Sequence, residues 1–402
     1  MTAGSVSDAI YWDPFEASLR DDPYPLWKRL RDEAPLYRND RYDFYALTRF
    51  HDVEAAHRDY NTFSSAHGTT IELMTPEPNE DTGLFIALDP PKHTQYRSMV
   101  SRAFTPRRIG QMRDDIKRIA GELLDAQVGS GGFDYVQDFA ALLPPTVIST
   151  MLGVPAADRD RLRQLVELAF HMEEGVGILN DVSRGAMGEV CMYLIEQMEE
   201  RRTHPRDDLL TVLVEADVPG TEGDPKHLSS QVAAEFGLML FVAGTETVAR
   251  LLGWAIASLA AHPDQRAALV ADPSLTPNAV EELLRFEPPS PVQARLTTRP
   301  VEMHGETIPT GSKVVLLTGA AGRDERKYPD PDQFDVRRAF DHHVTLGFGI
   351  HYCLGAALAR MEGCVGIDET LRRFPTWEVD YDRAHLLYTS TVRGYQQLPI
   401  TV

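Results

Sequence analysis

One stretch of ten residues, Leu346 to Gly355, constrains this chain more than any other part of its sequence. Gly347 and Gly349 allow a positive φ, so the backbone can turn tightly and direct successive N–H groups at one anion. Cys353 follows just before an alanine-rich helical pattern, and a helix N-terminus favours the thiolate form, which binds soft metals. Gly355 and the alanines after it leave room for a flat group. A structural cysteine after a glycine-rich turn would explain a lone cysteine, but not this spacing.

The composition argues against several classes of function. A chain of 402 residues can bury a large core, and its apolar and charged fractions are those of a soluble globular protein. The net charge of −20 would repel a phosphate backbone, so we expect no nucleic-acid partner. Cys191, Cys353 and Cys364 show neither metal-site spacing nor a disulfide pattern, which fits a reducing cytoplasm.

No membrane anchor is expected. Residues 1–15 lack a basic region followed by an apolar run, so they predict neither a signal peptide nor an anchor helix. The most apolar long segment, Val232 to Ala261, carries Glu235, Glu246 and Arg250. These charges favour a long buried helix over a membrane span.

That helix is unusual in length and in its centre. Helical periodicity continues from Ser229 to His262, far beyond the average of about 11–12 residues. Gly244 and the run Thr245-Glu246-Thr247 suit a buried helix poorly, because glycine costs roughly 1 kcal/mol relative to alanine and threonine hydroxyls can bond the i−4 carbonyl. A buried acid beside a hydroxyl is a place where protons could move. A kink satisfied by water is the alternative explanation.

Two features of the first hundred residues are ambiguous by themselves. His93 and Arg97 are four residues apart and share a helix face, where they could bind a carboxylate or phosphate, although an exposed polar face is the simpler interpretation. Before them, residues 68–88 are irregular and contain Pro76 and Pro78. A loop this long is usually functional or mobile, and a plain surface loop is the alternative.

These motifs together resemble the cytochrome P450 family. Its haem-binding pattern, Phe-Gly-x-Gly-x-(His/Arg)-x-Cys-x-Gly, is matched except at the first position, where Leu346 replaces phenylalanine. The run around Glu246 resembles the family's oxygen-activation motif, and Asp-Pro-Pro-x-His-x-x-x-Arg from Asp89 resembles its haem-propionate helix. Glu282 and Arg285 match its Glu-x-x-Arg motif.

The resemblance covers nearly the whole chain, with all four motifs in family order, and it implies a fold. That fold is mainly α with small β-sheets, and its triangular helical core surrounds the haem and contains a long central helix. We expect one domain over residues 1–402, with β-rich parts at roughly 35–65 and 295–320. Helices at about 158–172 and 181–202 would form a lid over the substrate.

The resemblance also implies roles for individual residues. The cofactor would be haem b (iron protoporphyrin IX), with Cys353 as the axial ligand of the iron. The haem propionates would contact His93, Arg97, Arg295 and His351. Glu246 and Thr247 would deliver protons during oxygen activation. The haem-side core would be held by Glu282, Arg285 and Arg338. By motif offset, the substrate pocket would be lined by Val242, Ala243, Val292, Thr391 and Val392.

The implied activity is that of a haem-thiolate monooxygenase, a cytoplasmic monomer that inserts one oxygen atom of O2 into a small hydrophobic substrate such as a lipid, terpenoid or aromatic. Since no flavin or iron–sulfur segment is found, electrons would come from a separate ferredoxin and reductase. The ferredoxin would dock on the cysteine side, on a basic patch formed by Arg102, Arg107, Arg108 and Arg360. The alternatives are a peroxide-using member of the family, a haem-binding sensor or ligand carrier, and a helical protein without haem.

Overall fold

The fold is mostly helical, which confirms the predicted class. A computed structural model describes residues 10–16, 21–80, 82–173, 177–178, 180–216, 227–339, 341–389 and 391–402. Glu174 and Gly175, in the predicted link between the two lid helices, lie outside the described residues.

The α-helices follow the predicted order, with the lid pair at α7 and α8. They are α1 (Tyr24–Glu33), α2 (Phe50–Arg58), α3 (Lys92–Ser101), α4 (Pro106–Gln111), α5 (Arg113–Asp125), α6 (Leu143–Leu152), α7 (Arg159–Ala169), α8 (Asp181–Thr203), α9 (Leu209–Glu215), α10 (Ser230–Ala261), α11 (Pro263–Ala271), α12 (Thr276–Phe286), α13 (Thr318–Ala321) and α14 (Ala356–Arg373).

The strands are short, and within the described ranges they form four small sheets. They are β1 (Leu36–Asn39), β2 (Phe44–Leu47), β3 (Phe63–Ser64), β4 (Gly132–Asp134), β5 (Gln293–Thr297), β6 (Val301–Met303), β7 (Glu306–Ile308), β8 (Lys313–Leu316), β9 (Glu378–Val379), β10 (His385–Tyr388), β11 (Arg393–Gln397) and β12 (Pro399–Thr401). The largest sheet has the order β1-β2-β8-β5-β3, with only β2 and β8 parallel. The others are β4-β12-β9, β10-β11 and β6-β7.

Helix α10 runs through the main hydrophobic core. The Ser229 side chain caps it by accepting the Val232 N–H, and its 32 residues continue through Gly244 without a break. The hydroxyls of Thr245 and Thr247 donate to the carbonyls four residues earlier, at 2.7 and 2.8 Å. Among the described residues, α10 is the one helix long and apolar enough to cross a membrane, but 56% of its most apolar window is buried inside the protein. It therefore serves as a core helix.

The five-stranded sheet has hydrophobic clusters on its two sides. Trp12, Trp27 and Phe44 belong to one cluster, and Phe50 and Tyr328 belong to another. The sheet thereby places the start of β5 beside the segment that follows β3, where Ala294 N donates to the Thr69 carbonyl at 2.7 Å. This junction forms one wall of the site described next.

Candidate active site

The cysteine loop has the tight geometry that its glycines predict. Gly347 and Gly349 have φ values of 71° and 69°. The Cys353 N–H donates to the Leu346 carbonyl at 2.8 Å and closes the loop. A Cβ on Gly349 would lie 2.9 Å from the His57 carbonyl, so glycine lets the loop pack directly against the end of α2. The sequence therefore places Cys353 three residues before α14, with its position fixed by backbone contacts.

Burial and the neighbouring groups shift the pKa of the Cys353 thiol in opposite directions. Burial raises the pKa of its thiol, while the Gly355 N–H and the positive charges of Arg97 and Arg360 lower it. Burial is the largest of these effects, so the helix terminus alone does not produce the thiolate predicted from sequence. A bound metal ion would favour deprotonation, since metals bind the thiolate form of cysteine.

Cys353 opens onto a cavity of about 310 Å³ between the cysteine loop and α10. Of the residues predicted from sequence, the cavity is lined by Arg97, Ala243, Thr247, Arg295, His351, Cys353 and Thr391. Its wall also includes apolar side chains such as Phe85, Ile148 and Leu240. The fold thus brings the cysteine, the centre of α10 and two arginines to one space.

Five basic side chains meet at one side of this cavity, and we call them the basic cluster: His57, His93, Arg97, Arg295 and His351. The His93 and His351 ring centroids are 4.2 Å apart, and His93 lies behind His351 rather than in the wall. Within the described part of the chain, no member forms an ion pair with a carboxylate. Arg97 donates to the Tyr352 carbonyl at 2.6 Å. Among the described residues, the Arg295 side chain donates to one partner, the carbonyl of its own neighbour Ala294, at 2.7 Å.

Burial and mutual repulsion depress the basicity of this cluster. Desolvation, helped by Arg295, lowers the pKa of His57 to about 3, and desolvation with Arg97 lowers that of His93 to about 4. The pKa of His351 falls to about 2, mainly through burial and Arg295. Burial also lowers the pKa of Arg295 to about 10. Both ring nitrogens of His57 and His93 and Nε2 of His351 are buried without a hydrogen-bond partner.

These residues fit a haem. Buried Arg295 and half-buried Arg97 form no ion pair with a described carboxylate, and the two propionates of a haem would supply two negative charges beside them. A Cβ on Gly355 would meet nothing within 4 Å, which leaves room for a flat ring beside the cysteine. The one carboxyl among the described lining residues, Glu362, is buried, and desolvation raises its pKa to about 8, so it adds little negative charge near neutral pH.

Sequence reasoning missed His57. Of the residues predicted for the substrate pocket, Ala243 and Thr391 line this cavity, whereas Val242, Val292 and Val392 are not among its lining residues. Val292 is buried in the cluster around Trp27, and the residue in the cavity wall is its neighbour Gln293.

These positions follow from the regular change in side-chain direction along a strand and along a helix. Neighbours in a strand point to opposite faces, and Gln293 shares its face with Arg295. In a helix, a shift of one residue turns the side chain by about 100°, so Ala243 and Thr247 face the cavity while Val242 packs against the core.

Glu246 lies on the other side of α10 from the cavity wall. Its carboxylate is buried and forms an ion pair with Arg250, one turn along the helix. Both residues line a second cavity of about 560 Å³, together with His171 and Gln396. Thr247 faces the first cavity and Glu246 the second, so the two predicted proton carriers are divided between them.

Glu282 and Arg285 form a fully buried pair in α12. The Arg285 Nε and Nη2 atoms donate to the two Glu282 oxygens at 2.7 Å each. Arg338 reaches Glu282 Oε1 at 3.1 Å, and also donates to the Pro329 carbonyl at 2.6 Å. This network ties α12 to the segment that precedes the cysteine loop.

Comparison with known proteins decides the family. The family model described as Cytochrome P450 matches residues 38–390. The chain belongs to the cytochrome P450 family. It is 38% identical over 405 residues to the putative cytochrome P450 123 of Mycobacterium tuberculosis, covering 100% of this chain and 99% of that protein.

Other P450 relatives agree along almost the whole chain. The vitamin D(3) 25-hydroxylase of Pseudonocardia autotrophica is 36% identical over 97% of this chain and 96% of its own. Among solved structures, the cytochrome P450 PksS of the Bacillus subtilis 168 bacillaene polyketide synthase is 30% identical, with a TM-score of 0.88 over 97% of this chain and 99% of that one. A mutant of P450 EryK in complex with erythromycin B has a TM-score of 0.85, 32% identity, and coverage of 94% and 96%. This P450 is therefore a monooxygenase with a haem-thiolate iron cofactor.

Proposed function

We propose that this P450 binds haem b through Cys353 Sγ and the basic cluster, and inserts one oxygen atom of O2 into a C–H bond of a small hydrophobic substrate. One observation carries the proposal: Cys353, four members of the basic cluster and Thr247 all line a single cavity. When bound, a thiolate-ligated haem iron supplies the chemistry of O–O bond cleavage. The family model matches residues 38–390, and we propose one domain over the whole chain.

Protons reach the reaction through α10. The Thr247 hydroxyl donates to the Ala243 carbonyl at 2.8 Å from the cavity wall, where it can release its proton into the cavity and accept another. Glu246 takes protons from the second cavity and, on leaving Arg250, turns its carboxylate toward Thr247. The ion pair with Arg250 positions that carboxylate at the second cavity.

The cavity wall supports a hydrophobic substrate. The side of the cavity formed by α10 and by the loop that precedes α3 is apolar. Its surface includes Met239, Leu240 and Val248 from α10 and Phe85 from the loop. Lipids, terpenoids and aromatic compounds share this requirement for apolar contact.

A ferredoxin-type donor is proposed to dock on the cysteine side. Arg102, Arg107 and Arg108 are exposed, and none forms an ion pair with a described carboxylate. Arg360 is already paired with Glu281, so it contributes less positive charge than its sequence position suggested. Reversing the charge of the three exposed arginines should slow electron transfer and weaken its salt dependence. Unchanged rates would exclude this surface.

We also propose a cytoplasmic monomer. All three cysteines are free thiols, which supports a reducing compartment.

The proposal is tested by the spectrum of the reduced CO complex. Wild-type protein and Cys191→Ser should both give the thiolate-type absorption, and Cys353→Ser should lose it. An unchanged spectrum in Cys353→Ser would place the iron ligand elsewhere. Substrate-dependent NAD(P)H consumption with a ferredoxin and its reductase separates a monooxygenase from a sensor, and turnover with peroxide alone would favour the peroxide-using alternative.

A further inference from the structure

Gln293 lines the cavity and carries an unused hydrogen-bond acceptor. Its Nε2 donates to the Ser290 carbonyl at 3.2 Å. Because only the amide nitrogen can donate there, this contact also fixes which way round the amide lies. Within the described part of the chain, Oε1 receives no hydrogen bond from any donor. Strand alternation puts Gln293 on the face of β5 that it shares with Arg295, so it lies in the same wall as the basic cluster.

Thr70 adds a second unsatisfied group beside it. The hydrogen bond from Ala294 N to the Thr69 carbonyl, at 2.7 Å, aligns the chain before Ile71 with the start of β5. Thr70 also lines the cavity, and its hydroxyl oxygen is buried without a partner. An unpaired buried hydroxyl is unfavourable, and rotation about χ1 is the movement by which this hydroxyl would reach a ligand in the cavity.

Thr391 and Ser290, two other polar side chains in this part of the wall, are already engaged. The Thr391 hydroxyl donates to the Val292 carbonyl at 3.1 Å and lies 3.4 Å from the Ser290 hydroxyl. The charged groups of the wall belong to the basic cluster, which the haem propionates would neutralise. The uncharged hydrogen-bonding groups left in this part of the wall are the Gln293 acceptor and the hydroxyls of Thr70 and its neighbour Thr69, neither of which has a partner among the described residues.

We propose that the substrate is an uncharged alcohol, an apolar molecule whose hydroxyl donates to Gln293 Oε1 and accepts from the Thr70 hydroxyl. This inference rests on the proposed function and names its substrate class. A hydroxyl matches because it donates and accepts at one atom and carries no charge. A methyl ether can only accept, a hydrocarbon can do neither, and a carboxylate would have to lose its hydration in an apolar cavity.

The test is ligand binding to the haem-loaded protein, measured by calorimetry and by the change in the haem spectrum. The probes are decan-1-ol, its methyl ether, decane and decanoate. The same set of alcohol, methyl ether, hydrocarbon and carboxylate is also prepared on a cyclohexane and on a decalin skeleton. On the skeletons that bind, the alcohol should bind about tenfold more tightly than the ether or the hydrocarbon. Gln293→Leu should remove most of this preference and Thr70→Val part of it. Thr150→Val, which loses an engaged hydroxyl on the exposed side of α6 and does not line the cavity, should keep it.

The possible outcomes are distinct. Equal binding of alcohol and ether on every skeleton, tighter binding of the carboxylate, or an unchanged preference in Gln293→Leu would each overturn the alcohol proposal while leaving the monooxygenase proposal intact. Loss of the thiolate-type CO spectrum from the wild-type protein would instead overturn the proposed function.

Discussion

At the scale of residues, the basic cluster sets the behaviour of the haem-free protein. His57 and His93 are held neutral in the folded chain, with pKa values of about 3 and 4, whereas an unfolded histidine titrates near 6.5. As the pH falls, the unfolded chain therefore takes up protons first. The part of the folding free energy that depends on these two neutral histidines is fully present above about pH 6.5 and is lost as the pH falls toward 4.

We predict that haem-free protein loses stability steeply between about pH 6.5 and 4, by up to about 1.4 kcal/mol per pH unit for each of the two histidines. The midpoint of denaturant unfolding, measured at each pH, checks this. His57→Leu should flatten the curve, and His204→Gln, at an exposed position, should not. Equal slopes in wild type and His57→Leu would contradict the prediction.

Thr247 offers a second prediction at this scale. Thr247→Ala should bind ligands as the wild type does but release most reducing equivalents as hydrogen peroxide, with coupling to product lowered roughly tenfold or more, because the cavity wall loses its proton-carrying hydroxyl. The measurement is the ratio of peroxide and product formed to NAD(P)H consumed.

The control for Thr247 is Thr245→Ala. This neighbouring threonine makes the same i−4 bond, to the Phe241 carbonyl, but does not line the cavity. Its coupling should match that of the wild type. Normal coupling in Thr247→Ala would remove Thr247 from the proton path.

At the scale of elements, the irregular loop over the cavity is attached to α10. Glu235 Oε2 accepts the Gly83 N–H at 2.8 Å and the Thr82 hydroxyl at 3.1 Å. A Cβ on Gly83 would lie 2.1 Å from the Val232 carbonyl, so only glycine allows this approach. Phe85, two residues later, lines the cavity.

We predict that Glu235→Ala frees this loop. Loss of two hydrogen bonds to a carboxylate should speed amide exchange of residues 82–88 roughly tenfold or more, and should speed ligand entry. Hydrogen exchange read by mass spectrometry checks the first effect and stopped-flow spectroscopy the second. Glu235→Gln keeps an acceptor oxygen and should change both much less. Unaltered exchange in Glu235→Ala would show that the attachment does not hold the loop.

The sequence predicts which segments form helices and strands better than it predicts which side chains of those segments line the cavity. Long periodic segments such as α10 and motifs tied to backbone geometry, such as the two glycines before Cys353, were recognisable because their causes are local. The motif offset predicts Val292 for the pocket, while the side chain of β5 in the wall of this cavity is that of Gln293, because a motif offset does not reveal the alternation of a strand. His57 gave no local signal, since it joins the basic cluster only when Gly349 packs against the end of α2.

At the scale of the whole molecule, the network of Glu282, Arg285 and Arg338 joins parts of the chain that are far apart in sequence. Arg285 also donates to the Gly322 carbonyl at 2.8 Å, and the Asp335 N–H donates to Glu282 at 3.0 Å. Glu282 and Arg285 are fully buried. Removal of the acid would therefore leave two buried guanidinium groups without their shared anion.

We predict that Glu282→Ala lowers the free energy of unfolding by about 3–5 kcal/mol. Urea unfolding of the haem-loaded protein measures this. Glu122→Ala, which breaks the exposed pair with Arg118, should leave the midpoint almost unchanged. Similar midpoints for the two variants would show that the buried network contributes little.

The basic cluster also has a consequence for the protein in its host. The folded chain holds Arg295 buried and Arg97 half-buried without an ion pair to a described carboxylate, so a porphyrin dicarboxylate that binds the folded state alone adds to its stability by mass action. Chains made without it unfold more often and are degraded. The cellular abundance of this enzyme should thus follow the supply of iron and porphyrin, even when its transcription is constant.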